Sequence, residues 1–277
     1  DEFRLKGIGR VNCITFDVNG TMFVGSASGG AWRKNPGDAN SGYTSLTHHI
    51  PNLSVSSICV NPENTNEIYL LTGDGDGRHG YCIGVLKSTD GGVSWYQTGF
   101  TITTPHFLDA YKMIMLPDAP ETMLVACNRG ILKTTDGWKT MDTVFSVPGM
   151  LFYDLEMHPE NSAWIYAANN NKIYKSIDSG SSWELNVELH PGASRTAISI
   201  CTSQPNVIYA LSGVPATAAG VIYKTFNGGV TWDTIATNMD ILDGGDGDGG
   251  RREQIFYDHT LLVNPDNPDQ IWVGAID

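Results

Sequence analysis

An all-β propeller of four-stranded blades is the fold this 277-residue sequence predicts, on three observations. An octapeptide recurs four times, with its third position at Asp90, Asp136, Asp178 and Asn227, so the intervals are 46, 42 and 49 residues. A period of that length marks a repeat architecture. Each repeat holds four short runs rich in β-branched and aromatic residues, punctuated by Gly, Pro, Asn and Asp. Helical periodicity is persuasive nowhere, and four strands per repeat of about 45 residues is the signature of a propeller blade.

The elements follow in order. In the repeat from Val55 to Thr98 the strands are VSSICVNP, EIYLLTG from Glu67, GVLKS from Gly84, and VSWYQT, which begins inside the octapeptide. The other first strands are VNCITF (Val11), YKMIML (Tyr111), YDLEMH (Tyr153), TAISIC (Thr196) and HTLLVN (His259). Pro62, Pro117, Pro159, Pro205 and Pro265 close five of the six. The other second strands are TMFVG (Thr21), TMLVAC (Thr122), AWIYAA (Ala163), NVIYAL (Asn206) and QIWVG (Gln270). The expected organisation is one propeller domain over 1–277, with blades near 11–50, 55–100, 109–147, 152–190, 195–238 and a partial one at 257–277. A two-stranded sixth blade leaves an unpaired edge. The expectation is therefore a polypeptide that continues past Asp277 to a ring of six to eight blades.

The octapeptides read STDGGVSW (Ser88–Trp95), TTDGWKTM (Thr134–Met141), SIDSGSSW (Ser176–Trp183) and TFNGGVTW (Thr225–Trp232). Their pattern, S/T-x-D-x-G-x-S/T-W, suits a hairpin turn between third and fourth strands. Gly at the fifth position adopts positive φ at little steric cost. The Asp side chain accepts bonds from the turn's own N–H groups. The closing Trp starts the fourth strand and packs between blades. The structural residues are thus Asp90, Trp95, Asp136, Asp178, Trp183, Asn227 and Trp232. A bound metal is the rival reading of each Asp, but local bonding explains the spacing without one. The second turn carries Trp138 for Gly and Met141 for Trp, the last carries Asn227 for Asp, and the first repeat has an interrupted version from Trp32 to Leu46 with Tyr43 in place of Trp.

These octapeptides resemble the Asp-box (BNR) repeat of sialidases, xyloglucan-degrading glycoside hydrolases, sortilin-type receptors and photosystem assembly factors. Four in register imply the fold, while the family's activities diverge widely. GRVNCITF, VGSASGGAWRK, VSSICVNP, TGDGDG, GVLKSTDGGVSW and LLVNPDNPDQIWVGAID are similar to propeller modules of large secreted proteins of the Bacteroidetes type, which often end in a C-terminal sorting domain. That resemblance implies a secreted or cell-surface protein.

Composition narrows the function. With 41% hydrophobic and 17% charged residues the chain has material for a large core,. A net charge of −13 argues against nucleic acid and against an anionic membrane surface,. No apolar run approaches 18 residues, and DEFRLKGIGR has no apolar core of a signal peptide,. Of the five cysteines, Cys13, Cys59, Cys127 and Cys201 lie in apolar strands, where a free thiol behaves as a small hydrophobe; Cys82 sits in a loop,. No CxxC occurs,.

Propeller topology puts the octapeptide and Asn-Pro turns at one face, and the second-to-third-strand loops and blade crossings at the other. The unusual loops fall on the second face: TGDGDGRHGYCIG (Thr72–Gly84), TITTPHFLD (Thr101–Asp109) and DILDGGDGDGGRREQIFYD (Asp240–Asp258), with a bland SGVPATAAG from Ser212. Long loops on a rigid scaffold are where binding and catalysis concentrate. The expected ligand-binding residues are Asp74, Asp76, Arg78, His79, Asp109, Tyr153, Asp246, Asp248, Arg251, Arg252 and Tyr257. Asp74, Asp76, Asp243, Asp246 and Asp248 have the oxygen donors Ca²⁺ prefers, although neither loop completes an EF-hand pattern. Paired carboxylates also suit glycoside hydrolysis, with Asp74, Asp76, Asp246 or Asp248 as candidates. Solvated turns are the plain alternative. Tyr81, Phe107, Tyr111, Phe152, Tyr153, Phe256 and Tyr257 flank the loops and suit sugar stacking or blade packing.

Enzyme families fit unevenly. The F/Y-R-I-P motif of sialidases is absent, and the eight Arg do not sit at equivalent first-strand positions. Where xyloglucan-degrading relatives have T-D-I-G-G-A-Y-R, with a catalytic Asp, this chain has Ser26-Ala-Ser-Gly-Gly-Ala-Trp-Arg33, with Ala27 at the Asp position. No G-x-S-x-G elbow occurs, and no helix follows GDGDG,. The leading expectation is a recognition module for a polysaccharide or protein on the acidic loop face, within a longer secreted chain whose other domains are further partners. It requires no cofactor beyond a candidate calcium, binds no nucleic acid and does not insert in a membrane. The alternatives are a xyloglucanase-like glycoside hydrolase and a purely structural propeller.

Overall fold

The computed structural model describes residues 10–37, 42–50, 53–76, 80–103, 107–216, 219–239 and 259–274. Among them five four-stranded antiparallel sheets and one two-stranded sheet form the blades of a propeller. Blade 1 holds β1 (Val11–Phe16), β2 (Met22–Ser26), β3 (Gly30–Lys34) and β4 (Thr44–Ser45). Blade 2 holds β5 (Val55–Val60), β6 (Ile68–Thr72), β7 (Gly84–Ser88) and β8 (Tyr96–Thr101). Blade 3 holds β9 (Ala110–Leu116), β10 (Ala119–Cys127), β11 (Gly130–Thr134) and β12 (Asp142–Phe145). Blade 4 holds β13 (Asp154–Met157), β14 (Ile165–Ala168), β15 (Lys172–Ser176) and β16 (Glu184–Glu188). Blade 5 holds β17 (Arg195–Ile200), β18 (Ile208–Val214), β19 (Ala219–Thr225) and β20 (Asp233–Met239), and the two-stranded blade 6 holds β21 (Thr260–Asn264) and β22 (Asn267–Gly274). No helix among the described residues is long and apolar enough to cross a membrane.

Two compact units divide the chain, Asp1–Leu124 with Thr134–Asp142, and Val125–Lys133 with Thr143–Asp277, and the boundary runs through blade 3. In the first unit the leading strands β1, β5 and β9 adjoin in turn; in the second β13, β17 and β21 do so. The cores lie between consecutive sheets. Phe23, Ala31, Val55, Ile58, Ile68 and Leu70 interleave between blades 1 and 2. Tyr166, Ile173, Ile198, Ile208 and Ala210 do the same between blades 4 and 5, and Tyr209, Leu211, Leu261 and Val263 between blades 5 and 6. Both faces of a middle strand are covered, which is why β6 and β14 read as continuous apolar runs and are buried throughout,. Each such Leu or Ile stabilises by roughly 1.5–3 kcal/mol through area removed from water.

Some boundaries shift from the sequence expectation. The fourth strands begin one residue after the expected Trp or its stand-in, at Tyr96, Asp142, Glu184 and Asp233. The turn extends that far because the third-position side chain still holds the N–H of Ser94, Thr140, Ser182 or Thr231. The bland SGVPATAAG segment is largely strand, since Ser212, Gly213 and Val214 pair with Val221, Gly220 and Ala219. None of the five cysteines is bridged to another, and four of them are buried. Burial pushes the thiols of Cys13 and Cys59 up to about 12, so both stay protonated and unreactive at neutral pH,.

Candidate functional site

The acids of this chain sort into two kinds. Those of the octapeptide turns are consumed locally. The first-position hydroxyl donates to the third-position oxygen in all four turns, at 2.8 Å in Ser88–Asp90, Thr134–Asp136 and Ser176–Asp178 and 2.9 Å in Thr225–Asn227. The same hydroxyl accepts the fifth-position N–H of Gly92, Trp138, Gly180 or Gly229. The seventh-position hydroxyls of Ser94, Thr140 and Ser182 donate to the second carboxylate oxygen at 2.6–2.7 Å. In the last turn that bond reverses, and Asn227 Nδ2 donates to Thr231 Oγ1. Each side of the pattern S/T-x-D-x-G-x-S/T therefore has a named bond.

These bonds set the titration. The hydroxyl and N–H of Ser94 hold the Asp90 carboxyl at about 2, and the N–H and hydroxyl of Thr140 do the same for Asp136. At Asp178 desolvation opposes the shift, but the Ser182 hydroxyl and N–H outweigh it and leave the carboxyl at about 2. The closing tryptophans reach the preceding blade: Trp95 Nε1 donates to Leu46 O, Trp232 Nε1 to Asn186 Oδ1, and the Trp183 ring stacks 6.1 Å from Phe145.

At the other end of blades 2 and 3 two loops of the first unit converge. The β6–β7 loop is closed at its base by Thr72, whose hydroxyl donates to Gly84 O and accepts from Ile83 N. Asp74 N donates to Gly80 O, and the buried Asp74 carboxylate pairs with Arg10, just ahead of β1. The β8–β9 loop is tied to it where Ile102 N donates to Ile83 O. Gly75 lies against β9 so closely that a Cβ there would be 2.7 Å from the Tyr111 ring and 3.0 Å from Ala110 O. Asp76 follows Gly75 in the chain and Asp109 precedes Ala110. Tyr81 and Phe107, 65% and 68% exposed, bring their rings to 6.0 Å at a 45° tilt.

In the second unit Tyr153 precedes β13, and the Arg195 guanidinium lies 5.2 Å over its ring. Nearby in sequence, the β14–β15 turn contains two orphaned buried atoms, Asn169 Nδ2 and Asn170 Oδ1. One is a donor and the other an acceptor, so a water or hydroxyl can satisfy either. Among the described residues no group of three or more His, Cys, Asp and Glu is arranged to hold a metal.

Of the expected site residues, Asp74, Asp76 and Asp109 belong to the first unit and Tyr153 to the second. Arg78, His79, Asp243, Asp246, Asp248, Arg251, Arg252 and Tyr257 lie outside the described residues. Sequence reasoning missed Arg10, Arg195 and Asp154. Asp154 is buried at the head of β13, and its carboxylate accepts Ile198 N at 2.8 Å from the next blade. An Asp inside an apolar strand is the signal that marks such a group.

No family profile matches the chain, and no curated protein matches it in sequence. It is similar to solved structures. An ancestral GH74 enzyme aligns with 97% of this chain and 35% of its own, at 17% identity and a TM-score of 0.69. The GH74 xyloglucanase of Xanthomonas campestris aligns with 96% of this chain and 51% of its own, at 15% identity and a TM-score of 0.57. The extracellular domain of a one-component system from B. thetaiotaomicron aligns with 84% and 28%, at 14% identity and a TM-score of 0.60. The chain spans about half or less of the length of these structures, and at such identities the likeness is one of fold.

Proposed function

We propose that this chain is an Asp-box propeller region of a secreted or cell-surface protein and that it recognises a glycan at the blade ends carrying the β6–β7 and β8–β9 loops. One observation carries the reading. The long β6–β7 loop of one blade is packed at Gly75 against Ala110 and Tyr111 at the head of β9 in the next, while the acids at the opposite blade ends are spent inside their own turns. Rigidly held loops on a scaffold are where binding residues gather. The fold likeness to a xyloglucanase and to an extracellular domain is in keeping with a glycan partner and an extracellular place.

Recognition is preferred to hydrolysis because Ala27 stands where the xyloglucan-degrading pattern has its Asp, and its side chain is buried. The site is tested by affinity electrophoresis in gels containing a panel of polysaccharides. The double variant Asp76→Ala/Asp109→Ala is expected to lose retardation, and Asp178→Asn to keep it. Retention of full binding by the double variant would remove the site from this end of the blades.

A further inference from the structure

We propose that the outer edge of β22 is a docking site for an extended peptide strand reading apolar-apolar-Lys-Ser/Thr, which adds to blade 6 as its third strand and lays its lysine over Trp272. Other blades show what this position takes. The second strands of blades 2, 4 and 5 carry Ile68-Tyr69, Ile165-Tyr166 and Ile208-Tyr209. Each Tyr is the direct cross-strand partner of a third-strand lysine: Tyr69 of Lys87, Tyr166 of Lys175 and Tyr209 of Lys224. The ammonium lies over the ring, at 4.8, 5.1 and 4.9 Å from its centre. Each Ile in turn pairs with the hydroxyl residue that follows the lysine, Ser88, Ser176 or Thr225.

Blade 6 repeats the second strand, and among the described residues β21 is the only strand paired with it. Ile271-Trp272 stands in the place of the Ile-Tyr pairs, and Trp272 faces Leu262 of β21 as Tyr69 faces Cys59 and Tyr209 faces Ser199. The difference is exposure: the three tyrosines are at most 3% exposed, and Trp272 is 47% exposed. Chemistry then selects the occupant. A strand edge turns alternate N–H and C=O groups outward, and an extended peptide can bond them all along its length. Edges kept free of partners are usually blunted by Lys or Pro, yet Gln270 to Gly274 contains neither and carries no charge,. Trp is the strongest aromatic partner for a cation, and a chain of net −13 favours a lysine-bearing strand over an acidic one,. In the register of the other blades, the lysine meets Trp272, the two apolar residues before it meet Val273 and Gly274, and the hydroxyl residue meets Ile271. Each such cross-strand pair adds to the ladder.

The test titrates the full chain with the synthetic peptide GVLKSTDGGVS, the sequence of Gly84 to Ser94, which has no tryptophan, so the emission read is the protein's. A saturable blue shift is expected, and it should be missing in Trp272→Phe. Within the peptide, Lys87→Met is expected to weaken binding about two- to fivefold, the loss of one cation–aromatic contact, and Lys87→Glu to weaken it further. Changes in the peptide leave the fold of the protein untouched. Absence of any shift, a shift that persists in Trp272→Phe, or equal binding of a scrambled peptide would overturn the docking site. Equal affinity for the Lys87→Met peptide would overturn the placement of the lysine over Trp272. Glycan binding at the blade ends is a separate measurement, so neither result decides the other.

Discussion

Asp178 shows how much a single side chain does in this repeat. Its carboxylate accepts two N–H groups and two hydroxyls within one turn. Asn227 makes the same turn with one bond reversed, so Asp178→Asn is expected to lower the thermal midpoint much less than Asp178→Ala, by circular dichroism. The carboxyls of Asp90, Asp136 and Asp178 titrate at about 2 when folded, against an ordinary 3.8. Their folded values lie below the unfolded ones, so their contribution is complete above about pH 4 and fades as pH falls toward 2. The triple variant with Asn at all three positions should show a flatter dependence of midpoint on pH across that window; an unchanged slope would contradict the assignment. Trp138 presents a different balance. Its φ of 67° is strained for a bulky residue, at roughly 1–3 kcal/mol,. Its fully buried ring packs 5.1 Å from Phe100, and losing such a side chain costs about 3–5 kcal/mol,. Burial wins, so Trp138→Gly should destabilise by about 1–3 kcal/mol in chemical denaturation, even though it restores the repeat's usual residue.

At the scale of the element, the third strands carry a regular clasp. Each has a cation near its end, and in three blades that cation reaches the octapeptide turn of the following blade. Arg33 donates to Gly91 O, Lys133 to Ser181 Oγ and Lys175 to Gly228 O. Lys175 also lies 4.2 Å over Trp164 and 5.1 Å over Tyr166. Lys224 in blade 5 instead pairs with Asp269 at 2.9 Å, over the rings of Tyr209 and Phe226. Lys175→Ala is expected to cost about 1–2 kcal/mol, and Lys175→Met less because its stem still covers the rings; equal losses would assign the whole effect to the charge. Third strands also open tightly. Gly84 has φ of 104°, and a Cβ would sit 1.8 Å from Phe100 O of the paired strand. Gly84→Ala should therefore cost more than about 3 kcal/mol, read from the urea midpoint. The strands were legible because Val, Ile, Tyr and Gly mark them on a fixed period. The clasp was not, because an Arg or Lys near the end of each third strand reads as an ordinary solvent residue until the next blade is in place.

For the whole molecule, legibility follows how local the information is. The octapeptide turn closes within eight residues, so its chemistry was readable from spacing alone. The fourth residue's left-handed φ was not, because Ser179 holds it at 58° without being glycine. The loop site depends on contacts across blades. Gly75 against Tyr111, Arg10 on Asp74 and the meeting of Tyr81 with Phe107 join residues 26 to 64 positions apart, and no local pattern announces them. The acid-rich segments drew attention by composition, yet Asp74 is the buried ion-pair partner of Arg10.

Glycan recognition without cleavage is the proposed activity of this chain. The most direct measurement incubates the full folded chain with the polysaccharide it binds most tightly, following bound fraction and new reducing ends together. Saturable binding is expected, with reducing ends at the level of the protein-free control. Release of new reducing ends, abolished by Asp76→Asn, would make the chain a glycoside hydrolase and contradict it.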